Sequence, residues 1–107
     1  MKKGLFLAVA CLVASIANAG QLVDNALITE IANTSSNQDQ FSVKVSGGGG
    51  LCANRYIHFP ASATQDAIYK RAYAAALSAM ATKTKVKIHN YASDDCDGAS
   101  YILLKAD

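Results

Sequence analysis

The stretch SATQDAIYKRAYAAALSAMATKTKVKIHNY, Ser62 to Tyr91, changes its hydrophobic period partway along, and that change decides how the chain folds. On a helical wheel at about 100° per residue, Ile68, Tyr69, Ala72, Tyr73, Ala75, Ala76, Leu77, Ala79 and Met80 cover one broad side. Lys70, Arg71, Ala74, Ser78 and Thr82 cover the other. Ser62 with Gln65 three residues later reads as a capping box, and Asp66 suits the positive end of the helix dipole. A face made mostly of alanine lets a helix approach a sheet closely, with the tyrosines, Leu77 and Met80 supplying bulk at its margins. After Lys83 the period falls to two: Val86 and Ile88 alternate with Lys85, Lys87 and His89, which predicts a strand from Lys85 to Tyr91.

The chain before this stretch reads as strands. Leu22-Val23 and Ala26 to Ile31 have strand composition, with Ile28 and Glu30 on one side and Leu27, Thr29 and Ile31 on the other. Asn33 to Asp39 is polar and turn-rich, a hairpin loop. Phe41, Val43 and Val45 alternate with Ser42, Lys44 and Ser46, the pattern of an antiparallel strand with one wet face. Gly47 to Gly50 predicts a flexible turn, because a phosphate-cradling loop would lead into a helix with a Lys-Ser/Thr pair and Leu51-Cys52-Ala53 follows instead. A third strand is expected from Leu51 to Phe59, ended by Pro60, which cannot donate to a ladder. Beyond the opening stretch, a loop from Ala92 to Ala99 leads to a last strand, Ser100 to Lys105. The expected class is therefore mostly β with one helix, in the order β-β-β-α-β-β.

Residues 1–19 have the parts of an export signal: Lys2 and Lys3, an apolar run from Leu5 to Ile16, and Ala17-Asn18-Ala19 as a small-residue cleavage site. Cys11 is preceded by Ala8-Val9-Ala10, without the large aliphatic residue expected of a lipidation signal. Cleavage near Ala19 would leave a single domain, residues 20–107, secreted or periplasmic, with no membrane span, since the apolar run is shorter than the roughly 20 residues a span needs. Of ten Lys and Arg, two lie in the signal, so the mature domain balances eight basic against eight acidic residues. A neutral domain lacks the basic face that nucleic-acid binding requires. Cys52 and Cys96 then remain as an even pair in an exported chain and predict one disulfide, worth roughly 4 kcal/mol in the chain-entropy model for a loop of that length. Free thiols or half a metal site are the competing readings, with only His58 and His89 as further soft ligands. No metal and no cofactor is expected.

Catalytic patterning is also missing. No Gly-x-Ser-x-Gly or His-Glu-x-x-His occurs, and His89, on the face of Lys85, Lys87 and Tyr91, has no evident nucleophile or orienting carboxylate beside it. Asp94-Asp95-Cys96-Asp97-Gly98 gathers carboxylates without the closing glutamate of a calcium loop, and reads as a capped, solvated turn. Tyr69 and Tyr73 read as core with hydroxyls at the rim. Lys85 and Lys87 suit either a small anion-attracting patch or the blunting of an exposed edge.

Three strands, a helix and two strands is the order of the OB-fold, a small Greek-key barrel. The run Tyr69-Lys70-Arg71-Ala72-Tyr73 through Lys85 to Tyr91, with the Cys52 region before it, resembles a group of small secreted bacterial proteins. That group is similar to the binding subunit of subtilase cytotoxin, one of the ring-forming B subunits of A-B toxins. The resemblance covers about Leu27 to Tyr91 and implies an OB-like barrel, a possible homo-oligomer and a glycan ligand. By position it places ligand-binding groups at Asp24 or Asn25 and at the strand end His89, Asn90 and Tyr91. It departs at Ser42, where the toxin subunit has a cysteine, and at His89-Asn90, where that subunit has two tyrosines. The expectation is a non-enzymatic exported domain that binds a glycan or an envelope protein. The alternatives are a periplasmic inhibitor or envelope accessory acting through Asn33–Asp39 or Ala92–Ala99, and a small hydrolase using His89 or His58.

Overall fold

The computed structural model describes residues 20–33 and 39–106; the segment expected to be an export signal, with Cys11, and most of the loop expected at Asn33 to Asp39, lie outside the described residues. Among the described residues, five strands and one helix follow in the expected order: β1 (Gln21–Ala32), β2 (Gln40–Ser46), β3 (Tyr56–Pro60), α1 (Asp66–Thr82), β4 (Lys85–His89) and β5 (Tyr101–Lys105), with a 3-10 turn at Ala61–Ala63 before the helix. The strands form one antiparallel sheet in the order β3-β2-β1-β4-β5.

β1 is the strand both halves share. Its first half pairs with β4, Gln21 opposite His89 and Ala26 opposite Val86, and its second half pairs with β2, Leu27 opposite Ser46 to Ala32 opposite Ser42. Register shifts interrupt both ladders, and Asn25 takes a left-handed conformation at φ 62°, which asparagine tolerates better than most residues. The irregularity allows the neighbours Leu22 and Val23 both to be fully buried. A strict two-residue alternation could not do that.

The glycine run departs from its sequence reading. Gly47–Gly50 is not a free turn: it lies along the flank of β1 that β2 has left, with Asp24 and Gly49 exchanging backbone hydrogen bonds at 2.9 and 3.1 Å. Cys52 N–H donates to Leu22 O at 2.9 Å, which draws Cys52 into the core. Because Leu51 to Asn54 turns in this way, β3 starts at Tyr56 rather than Leu51.

The core is the inner face of the sheet beneath the helix. Phe41, Val43 and Val45 point inward as expected, joined by Ile57, Phe59, Val86 and Ile88. α1 packs against β1 and β5 through the buried Ala72, Ala76 and Ala79. Phe41 stacks on Phe59 at 4.6 Å between ring centroids, with Tyr69 tilted against it at 5.5 Å and Tyr73 edge-on at 5.1 Å. The two helix tyrosines are thus packing residues, and burial, followed by the charges of Asp39 and Tyr73, raises the Tyr69 phenol above its ordinary value. Two details of the helix differ from expectation. It begins at Asp66 with no side-chain cap at Gln65, because the 3-10 turn after Pro60 takes up Ser62, and Leu77 is exposed at the margin.

The sheet does not close into a barrel by a strand ladder. Its free side is drawn together at one point, where His58 N–H donates to Cys96 O at 2.9 Å and Ala99 N–H donates to His58 O at 3.0 Å. Beside these bonds Cys52 and Cys96 form the expected disulfide, with their Cα atoms 5.9 Å apart. β4 lies inside the sheet, between β1 and β5, so Lys85 and Lys87 do not blunt an edge.

Candidate functional site

Two antiparallel strands joined by a loop place the end of one opposite the start of the next, and here His89 at the end of β4 faces Tyr101 at the start of β5. Tyr91, two residues past His89, completes a triangle of rings: 5.7 Å from His89 to Tyr91, 5.9 Å from His89 to Tyr101 and 5.9 Å from Tyr91 to Tyr101. Tyr91 is 76% exposed, the most exposed large apolar side chain among the described residues. It stands as a ridge between shallow concavities. One, of about 380 Å³, is walled by Ile68, Arg71 and Ala75 of the helix and by Tyr101 and Ile102. Another, of about 350 Å³, is walled by Gly20, His89, Ser93 and Asp94. A third, of about 330 Å³, lies toward Ala63, Asp95 and Gly98.

The loop behind Tyr91 is held by Asn90, which is buried. Its Oδ1 accepts from the backbone N–H groups of Ala92 and Ser93 at 2.9 and 3.2 Å, and its Nδ2 donates to Asp95 O at 2.8 Å and Ser93 Oγ at 3.3 Å. Asp95 Oδ1 in turn accepts from Asp97 N–H at 2.9 Å. The acidic run is the capped turn expected of it, and no group of three or more metal-ligating side chains gathers among the described residues.

Of the residues proposed from sequence, the structure brings together His89 and Tyr91. Asn90 lies between them, buried, with its side-chain amide hydrogen-bonded to the loop. Asp24 and Asn25 are elsewhere: Gln21 is the β1 residue beside His89, so they sit three and four positions further on, about 10 Å at the rise of a strand. Asp24 Oδ1 accepts from Lys105 Nζ at 3.1 Å, and this bond above all holds its carboxyl below the usual range; partial burial opposes it, and the charges of Lys105 and Lys87 add to it. Tyr101, Arg71 and Asp94 are the members sequence reasoning missed. The hairpin rule could have found Tyr101, whereas Arg71 reaches the site only because α1 crosses β5.

A second constellation surrounds His58. Ser42 and His58 are cross-strand partners, and Ser42 Oγ lies 2.5 Å from His58 Nδ1, while His58 Nε2 lies 3.6 Å from Asp97 Oδ1. A hydrolytic triad has the ring the other way round, with the serine at Nε2 and the carboxylate at Nδ1, and needs an accessible hydroxyl. Ser42 is only 3% exposed. The three side chains therefore fasten the seam where β3 meets the loop before β5.

No curated protein and no solved structure matches the chain at a significant level, so no match is a toxin subunit. A family-wide sequence model with the description "Family of unknown function (DUF5992)" matches residues 3–106, and the chain belongs to that family.

Proposed function

We propose that the protein is an exported, non-enzymatic binding domain that takes a carbohydrate on the aromatic surface around Tyr91. The observation that carries this reading is the ring triangle: one tyrosine 76% exposed, braced by two further rings within 6 Å, on a loop whose backbone is already fixed. A large aromatic held out in water offers a rigid flat face, with its hydroxyl available for hydrogen bonding. The apolar C–H face of a pyranose fits such a ring, and Arg71, Ser93 and Asp94 at the rims supply the donors and acceptors that sugar hydroxyls need. Export rests on the leader-like residues 1–19.

The test is a glycan array followed by titration calorimetry with the purified domain. Binding to at least one glycan is expected, weakened tenfold or more by Tyr91→Ala, which corresponds to at least about 1.4 kcal/mol. Unfolding of that variant should be unchanged, because Tyr91 buries little. An array without signal, or affinity indifferent to Tyr91, would sink the reading. Capture of an envelope protein through the same loop would then favour an inhibitor or accessory role. Light scattering on the same sample decides whether the domain forms a ring.

A further inference from the structure

We infer that leader removal at the Ala19–Gly20 bond creates a structural ion pair: the new α-ammonium of Gly20 binds the Asp94 carboxylate and locks the loop that carries Tyr91. Asp94 also borders the surface proposed for carbohydrate, but the inference rests on its contact with Gly20 and its test reads no ligand. Gly20 nitrogen lies 2.7 Å from Asp94 Oδ1, within the range of charge-assisted N–H···O contacts. The residue is buried, and its carbonyl accepts from Asn90 N–H at 2.8 Å. Gly20 therefore ties both ends of the Asn90–Asp94 turn to the start of β1.

The position accepts only glycine. Its φ is +86°, and a Cβ there would stand 2.5 Å from Asn90 O and 3.3 Å from His89 Cδ2. Immediately before it the sequence reads Ala17-Asn18-Ala19, the small-residue pattern that a leader peptidase cleaves. Hydrolysis adds one water across the Ala19–Gly20 bond. Ala19 leaves with the carboxylate, and Gly20 keeps the nitrogen as an amine, which takes up a proton at neutral pH because an α-amino group ordinarily titrates near 8. A neutral amide N–H becomes a cation at the spot already occupied by a carboxylate oxygen. The processed domain thus gains a positive charge on a hydrogen bond that the uncleaved chain already makes, on the loop next to His89.

The full-length gene is expressed in an exporting host and the product purified, as wild type and as Asp94→Asn. Intact mass should correspond to residues 20–107 with one disulfide. Acylation of the α-amine by an N-hydroxysuccinimide ester should be at least tenfold slower in the folded protein than in the same protein reduced and denatured. It should speed up toward the denatured rate in Asp94→Asn, whose Tm should fall by about 4–8 °C. A mature chain that starts at any other residue overturns the inference. So does an α-amine that reacts equally fast in folded and denatured protein, a comparison that needs no variant to fold.

Discussion

Gly48 shows how much one residue can decide. Its φ is +66°, and a Cβ added there would lie 2.2 Å from the Asp24 carbonyl oxygen, on backbone that cannot step aside. Gly50 meets Leu22 O at 2.4 Å in the same way. The glycines are needed so that two backbones can touch where β2 has left β1 unpaired. Gly48→Ala should therefore destabilise by about 2–4 kcal/mol, combining positive-φ strain with a steric clash. Urea unfolding measures it, and a loss below about 0.5 kcal/mol would show that the run is a loose turn after all. Asn90 makes a similar point with opposite chemistry. From sequence it looks like a ligand-facing polar residue at a strand end, yet it is buried, and its four hydrogen bonds shape the turn that presents Tyr91.

At the scale of the element, α1 is the part most legible in sequence. Its alanine stripe, tyrosine margins and wet face all appear where a wheel puts them, because 3.6-residue periodicity is a local property. Its ends were less legible. The N-terminus lies four residues past Ser62, since the Pro60 turn intervenes, and the C-terminus is closed by Lys83 in the left-handed conformation, φ 55°, with its N–H directed at the carbonyls of Ala79 and Met80. That conformation costs an L-residue roughly 1 kcal/mol, and glycine is the usual occupant of such a cap. Lys83→Gly should raise stability by about 0.5–1 kcal/mol by chemical denaturation, with no change in the spectrum of the folded protein. A loss of stability would mean that the Lys83 side chain contributes more than its backbone conformation costs. β4 divides in the same manner: the Val86 and Ile88 alternation is local, but only the ladder reveals that Lys87 lies near Asp24 and that Tyr101 faces His89.

For the whole molecule, the open sheet is the feature to explain. β3 and β5 lie at opposite edges, and what joins the two sides is a short seam: two backbone bonds at His58, the Ser42–His58–Asp97 contacts, and the disulfide. In so small a domain each covalent constraint counts for much of the margin of stability. The bridge spans 44 residues, including β3, α1 and β4, so reduction should cost roughly 4 kcal/mol. The double variant Cys52→Ser with Cys96→Ser should unfold at correspondingly lower urea, and amide exchange at His58 and Ala99 should accelerate more than at Val43 on the interior strand β2. Equal acceleration at all three sites would show that the seam is not the weak point of the fold.

By itself the sequence determined the secondary-structure order, the inward faces of β2 and α1, and the one disulfide, because these follow from period, turn chemistry and cysteine parity. It also singled out the His89–Tyr91 strand end. Only the tertiary structure decided which residues share the site. Tyr101 joins it through register and Arg71 through the crossing of α1 over β5. Asp24 and Asn25 leave it because β1 carries them along β4 away from His89, and Gly20 meets Asp94 across the whole length of the domain. Such long-range pairings are set by how strands align and how the sheet curls. Those properties belong to the packed chain as a whole, and no local window of residues contains them.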